Sequence, residues 1–431
     1  MSIRSGPGDR VSGEVGRVVK SGAGQGGAGP GRVNLWSLAF VALCLVPFVM
    51  VLGNSMLIPV FPKIESALSL SQFQVGLLVT AFSLPAGLLI PFAGFLSDRI
   101  GRKKIIVPAL VVYGLGGLVA GLASLWLRDP YKVIIAGRII QGAGAGGTYQ
   151  LAMALAGDLY GRENMPRTLG ALEASNGLGK VVSPILGSAA MAISWYLPFF
   201  VYGIFSIPVA VLVLLAVKES NPGGEGKSTA QYFSSVKEII KEKGLSLAVT
   251  FVVGFVALGM LFGLLSYLSD VLEQKFHLYN LRKGFAIAVP VTVMAATSFF
   301  GGIWLQRRKH LLKATIVLGM ALTAAALFTI PIFDSPWYFF AVVVIAGLGI
   351  GMVLPPLNTL ITGSADPEER GIITALYGTV RFTGVAVGPP AFGLIGFDSP
   401  WLFAAAAAIT GVAGVLGWLF VDQERLLSKA A

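Results

Sequence analysis

Apolar runs of bilayer length, separated by short polar turns, recur from Leu35 to Phe420. A helix that crosses a bilayer needs about 20 mostly apolar residues. That rule predicts helices near 35–61, 72–96, 104–127, 131–157, 168–193, 196–217, 245–269, 284–305, 311–333, 336–363, 371–397 and 399–421. Proline and glycine inside these runs blur their ends without removing them, because neighbouring membrane helices re-satisfy the freed backbone groups. The predicted fold is an all-α membrane protein of twelve transmembrane helices in two six-helix bundles, 35–217 and 245–421. A polar connection, 218–244, joins them, and tails cover 1–34 and 422–431.

The two halves look like copies. Setting Pro184 over Pro389, 205 positions on, aligns Gly179 with Gly384, Ser183 with Gly388 and Asn176 with Arg381. In the same register Gly142, Gly144 and Gly146 fall on Gly347, Gly349 and Gly351. Internal repeats of this kind build the halves of secondary transporters, so pseudo-symmetry between the bundles is expected.

Composition agrees with a chain dissolved in lipid: 55% hydrophobic residues, 12% charged and a mean hydropathy of +0.79. The net charge of +11 therefore does not point to nucleic acid, since no basic, aromatic-interleaved surface remains outside the spans. Lys and Arg instead crowd the N-terminal tail, the loops after even-numbered spans and the C-terminal tail, which predicts that both termini are cytoplasmic in a multi-pass protein of the cell membrane. The tail 1–34, rich in Gly and Ser, is expected to be disordered, and the first apolar run begins too late and runs too long for a signal peptide. In the connection, Tyr232, Phe233, Val236, Ile239 and Ile240 share one helical face opposite Lys237, Lys241 and Lys243, as in an amphipathic helix lying on the inner leaflet; a partly ordered linker is the alternative. The single cysteine, Cys44, can make no internal disulfide, and His277 and His310 lack metal-ligand spacing, so no metal is expected.

The turn after the second span reads GFLSDRIGRKK and carries Gly94, Asp98, Arg99, Gly101, Arg102, Lys103 and Lys104. Glycine there permits a sharp turn and close helix contact, and Asp98 can accept from a helix N-terminus or a cation. This stretch resembles the loop signature of the major facilitator superfamily. The resemblance implies the twelve-helix fold of that family and a cytoplasmic gate loop that latches the two halves. The second copy, GGIWLQRRKHLLK, has Gln306 where Asp98 would align, so its latch is degenerate.

Span five, with Gly170, Gly179, Ser183, Pro184 and Gly187, resembles the helix motif of the drug:proton antiporter group, with serine at two positions where that motif has glycine. Small residues at such spacings let backbones approach closely. Arg138, Gln141 and Gly142 of span four are similar to the R-x-x-Q-G motif of the same family. An unpaired arginine inside a span is costly, so Arg138 is expected to face the interior or a wet cavity.

Glu173 and Lys180 sit two helical turns apart on one face, and Arg381 reaches a similar depth from the other half. Glu173 is the one carboxylate well inside a predicted span and is the expected proton carrier, although a structural ion-pair role for these charges is the alternative. Asn54, Gln141, Gln150, Asn176, Asn358 and Tyr377 are further candidates for a cavity wall, or for interhelical hydrogen bonds. The resemblance implies a secondary active transporter working by alternating access. Proton-coupled export of a small amphipathic molecule or drug is the first reading, and metabolite uptake or facilitated diffusion on the same fold is the second. A non-transporting receptor is the third. No nucleophile or His/acid constellation suggests an enzyme. The implied partners are a small-molecule substrate and the bilayer, with a proton gradient as energy source, no cofactor and a monomeric state.

Overall fold

A computed structural model describes residues 37–219, 229–332, 335–365, 370–396, 399 and 401–428. The expected disordered tail and the first part of the linker lie outside these residues. The described chain is helical throughout: α1 (Leu38–Ser55), α2 (Phe61–Leu68), α3 (Gln72–Ile100), α4 (Lys103–Trp126), α5 (Tyr131–Gly146), α6 (Tyr149–Ile193), α7 (Leu197–Ala216), α8 (Thr229–Gln274), α9 (Asn280–Gln306), α10 (Leu312–Thr329), α11 (Pro336–Gly363), α12 (Arg370–Ile395), α13 (Trp401–Phe420) and the short α14 (Gln423–Leu427). Ten helical segments among the described residues are long and apolar enough to cross a membrane.

The two predicted spans missing from those ten are four and five, which fall on α5 and α6. The α5 helix stops at Gly146, and α6 then stays helical from Tyr149 to Ile193. It is not straight. The Tyr149 hydroxyl donates to the Glu173 carboxylate, 24 residues away, whereas a straight helix would hold those residues roughly 36 Å apart. Two antiparallel limbs therefore share the α6 label, an arrangement compatible with twelve crossings.

Local signals explain the element ends. Ser71 and Gln74 close a reciprocal capping box at the start of α3, with bonds of 2.8 and 3.2 Å. The helix ends where Gly101 adopts φ 104°, a conformation that an L side chain rarely takes. Exposed tryptophans cluster at the helix ends: Trp126, Trp337 and Trp401 at one end of the bundle, Trp304 and Trp418 toward the other. Tryptophan favours membrane–water boundaries, and the exposed Phe92, Leu215, Phe300 and Leu394 are the lipid-facing surface such a protein requires.

The repeat is visible in what the glycines touch. A Cβ on Gly142 or Gly146 would strike the carbonyl oxygen of Phe82 or Ala86 on α3, and one on Gly144 would strike the Tyr113 nitrogen on α4. In the second half Gly347 and Gly351 meet the carbonyls of Pro290 and Met294 on α9, and Gly349 meets Gly319 and Thr323 on α10. Gly179 and Gly187 of α6 lie on α1, as Gly384 and Gly388 of α12 lie on α8. Each half thus repeats the same contacts between equivalent helices.

Two seams join the halves. On the first, α3 and α12 run against each other: Gly76 meets Pro390, Gly393 meets Gln72, Gly87 meets Thr379 and Phe382, and Gly378 meets Ile90. Thr80 donates to the Ala386 carbonyl at 2.6 Å and Thr379 to that of Gly87 at 2.7 Å. On the second, Gly284 of α9 approaches Pro184 and Ser188 of α6. Both seams lie toward the end marked by Trp126 and Trp337. Toward the opposite end a Cβ on Gly94, Gly170, Gly301 or Gly371 would meet nothing within 4 Å, so the bundle is closed at one end and splayed at the other.

These contacts sort the glycines by consequence. Gly187→Ala, whose Cβ would sit 2.0 Å from the Met56 carbonyl oxygen, is expected to cost roughly 1–3 kcal/mol through overpacking and to lower the melting temperature in detergent. Gly94→Ala should leave that temperature unchanged or raise it, since helix propensity favours alanine by about 1 kcal/mol.

Candidate functional site

Between the halves, the second limb of α6 faces α12. Glu173 accepts from the Tyr149 hydroxyl. Lys180 interacts electrostatically with both Glu173 and Arg381, and Tyr149 with Glu173 and Arg381. The Arg381 guanidinium lies 5.4 Å from the centre of the Tyr377 ring, a cation–π distance, and that ring stacks on Phe251 at 5.8 Å. The Tyr377 hydroxyl is buried without a partner. Glu173 is exposed and Lys180 and Arg381 are half-buried. They line a space that water reaches, with two cations, one carboxylate and two tyrosines drawn from both halves.

Arg138 stands apart. It is completely buried, with Nε donating to the Leu78 carbonyl at 3.0 Å, Nη1 to Gln141 Oε1 at 2.6 Å and Nη2 to the Gly53 carbonyl at 2.7 Å. The guanidinium also lies 4.6 Å from the Phe82 ring centre. These bonds tie α1, α3 and α5 together. Of the two expected surroundings, the structure selects the dry interior, and Arg138 does not join Glu173, Lys180 and Arg381.

The other candidates scatter. Asn54 is buried and accepts from Ser83 at 2.9 Å, an interhelical bond. Gln141 spends its oxygen on Arg138 and leaves its amide nitrogen without a partner. Gln150 lies beside Gly378 on the α3–α12 seam. Asn176 is buried, whereas Asn358 is exposed and its carbonyl accepts from Thr362. The span-five motif packs chiefly on α1: Gly179 against Phe48 and Val51, Gly187 against Met56, and Ser175 nearby donating to the Cys44 carbonyl at 2.6 Å. Gly170 is open, the Ser183 hydroxyl is buried without a partner, and the Pro184 carbonyl faces Gly284.

At the gate loop, Arg102 bridges Asp98, at 3.7 Å, and Asp158 at the foot of span four. Arg99 lies over the Phe95 ring. Gly94 makes no close helix contact, contrary to expectation, because the splay leaves that turn without a facing backbone. Lys104 is exposed. Of the two partners expected for Asp98, a helix N-terminus or a cation, it takes the cation, and the helix N-terminus is held by Glu219, which accepts from the backbone N–H groups of Arg102 and Lys103 at 2.8 and 3.2 Å. Lys103 reciprocates, its ammonium donating to the Val217 carbonyl at 2.6 Å at the end of α7. Each charge thus sits at the helix end whose dipole favours it.

Three charged groups were misjudged from sequence. Lys243, expected on a solvated face, is buried, and its Nζ donates to the Ser364 and Ser428 carbonyls at 3.0 and 2.8 Å, beyond the ends of α11 and α14. Most of the amphipathic side chains before it lie outside the described ones. Asp270 and Lys283, placed just outside spans seven and eight, are in fact buried inside α8 and α9. Glu173 is therefore not the one carboxylate within the spans. The predicted ends were drawn at the first charge, and no apolar-run rule can see a charge that is buried at a helix end.

Among known proteins, the Major Facilitator Superfamily family model matches residues 43–389 and 284–430. The chain belongs to the major facilitator superfamily, a family of transporters rather than enzymes, and is an integral multi-pass membrane protein. It is 39% identical over 388 residues to the bacillibactin exporter of Bacillus subtilis, covering 89% of this chain and 96% of that one. It is 29% identical to the multidrug efflux protein YfmO of Bacillus subtilis, over 84% and 86% of the two chains, and 23% identical to the quinolone resistance protein NorA of Staphylococcus aureus, over 86% and 93%. In fold it resembles a bacterial homologue of the human lysosomal transporter Spinster in an inward-facing, unoccupied conformation, with a TM-score of 0.70, 19% identity and coverage of 91% and 95%. The human organic anion transporter MFSD10 gives a TM-score of 0.65 at 18% identity, covering 91% and 99%.

The Glu219 cap yields a direct test. Glu219→Ala should lower the melting temperature by the equivalent of about 1 kcal/mol, the usual worth of a helix cap. The same change made together with Lys103→Met should cost less than the sum of the two singles, because both act at one junction.

Proposed function

We propose that this transporter exports a small anionic or neutral amphipathic molecule in exchange for protons, with both termini in the cytosol. The observation that carries this reading is the position of Glu173, Lys180 and Arg381, which line the space between the halves above the splayed end. On the basis of loop charge that end faces the cytosol, so the conformation described is open inward and loads substrate from inside. The two six-helix bundles, 35–217 and 245–421, are the bodies that rock.

The charge count supports an anion. With Arg138 satisfied by carbonyls elsewhere, two cations face one carboxylate, and arginine cannot shed its proton. The 39% identity to a bacillibactin exporter favours bacillibactin, or a molecule of like chemistry, over the lipophilic compounds suggested by more distant multidrug relatives. Glu173, which accepts from the Tyr149 hydroxyl and acts on Lys180, is the proposed proton carrier. The loop with Asp98 and Arg102 is the proposed latch for the opposite conformation, with Arg102 now parked between Asp98 and Asp158.

Everted vesicles energised by a pH gradient test direction and coupling together. Substrate should accumulate inside them, and Glu173→Gln should lower gradient-driven accumulation at least tenfold while binding survives. Normal gradient-driven flux in that variant would remove Glu173 from the coupling step, and flux only in right-side-out vesicles would favour uptake.

Substrate charge is tested by competition in reconstituted protein. Anionic analogues should displace bound substrate, and Arg381→Gln should weaken them roughly tenfold, the worth of about 1.4 kcal/mol. Displacement by lipophilic cations alone would reverse the assignment.

A further inference from the structure

At the closed end, opposite the gate loop, a second set of charges is buried where the halves meet. Lys283 of α9 is wholly buried, and its ammonium makes a 2.7 Å ion pair with Glu273 of α8. One turn earlier on α8, Asp270 is only 5% exposed. The charged groups acting on it are Lys283, Glu65 and Glu273. Glu65 belongs to α2, in the other half, which packs against α8 at this end. Tyr267, one turn before Asp270 on α8, lies between Phe339 and Phe403.

The pairing leaves Asp270 over. Lys283 acts on Asp270 as well, but its ion pair is with Glu273, so one ammonium faces two carboxylates. Glu65 and Glu273 both repel a second negative charge there. An unpaired carboxylate removed from water is held far less readily than the neutral acid. When the halves separate at this end, Asp270 regains water and Glu65 moves away with α2, so the carboxylate becomes tolerable again. The proton occupancy of one side chain is thereby tied to whether the gate is shut.

We propose that Asp270 is a proton-binding site of the outer gate: it takes a proton from external water while that end is open, and the gate shuts over the neutral acid. One O–H bond forms on the carboxylate as one breaks in a hydronium ion of the external medium, which is left as water. The step rests on the proton-coupled reading above, and it deepens that reading by assigning a carboxylate distinct from Glu173 to the return of the empty carrier. Glu65 and the Lys283–Glu273 pair are positioning residues: Glu273 holds the Lys283 ammonium in its own ion pair, and Glu65 makes the penalty depend on the approach of the other half.

Distances measured across the gate decide the matter without substrate or gradient. Spin labels at Asp129→Cys and Tyr279→Cys, both exposed positions, in a Cys44→Ser background report opening in lipid nanodiscs. The ratio of shut to open should rise as pH falls from 8 to 5, by up to tenfold per unit for one coupled proton. Asp270→Asn should stay mostly shut at every pH, and Asp270→Glu should restore a response. The double change Glu273→Gln with Lys283→Met should retain a pH response with a displaced midpoint. A response in Asp270→Asn like that of the parent, or no response in the parent, overturns the proposal. Because the readout is gate distance, failure of proton-driven flux in vesicles would count against export coupling and would leave this outcome legible by itself.

Discussion

Helices in lipid gain little by hiding apolar side chains from one another, so their association depends on how closely backbones can approach. This chain meets that constraint with glycine set against carbonyl oxygen. Gly142 lies on Phe82, Gly187 on Met56, Gly347 on Pro290 and Gly384 on Phe255. The same device serves inside each half and, through Gly76 and Gly284, between them. The seams between halves are therefore not of a different kind from the bundles they join, and they end where the glycines stop finding a facing backbone.

Charge within the spans is used in two ways. Some of it is dry and bonded locally, as with Arg138 on two carbonyls and Gln141, or Lys243 on the carbonyls of Ser364 and Ser428. Where water reaches it, as at Glu173, Lys180 and Arg381, the bonds are fewer and partners come from both halves. An arginine wholly buried and bonded on all three nitrogens is out of a substrate's reach, whereas Arg381 lies half-buried over the Tyr377 ring.

Much of the fold was legible in sequence because its cause is one-dimensional. Apolar run length placed the ten segments that qualify as spans, and the repeat register aligned Gly142, Gly144 and Gly146 with Gly347, Gly349 and Gly351, which make equivalent contacts. The approach of Lys180 and Arg381 also followed, since both enter from the same end. What escaped was pairing between distant segments. Nothing in the order of residues says that Glu219 caps the helix at Lys103, that Tyr149 holds Glu173, or that Lys243 reaches Ser428. Span seven was ended before Asp270 because a charge reads as water, while the fold supplies α2 and α9 as cover.

The reciprocal contacts of Glu219 and Lys103 fix the exit of α7 to the very turn that carries Asp98 and Arg102. On the other side, Lys243 fixes the start of the second half to the ends of α11 and α14. Only residues 220–228 separate the first anchor from the helix that leads to the second, and nine residues can reach no farther than about 30 Å even fully drawn out. With the roughly 21 Å of helix from Thr229 to Lys243 added, the covalent chain lets the two anchors part by no more than about 50 Å, a tether whose length is set without any residue of the cavity.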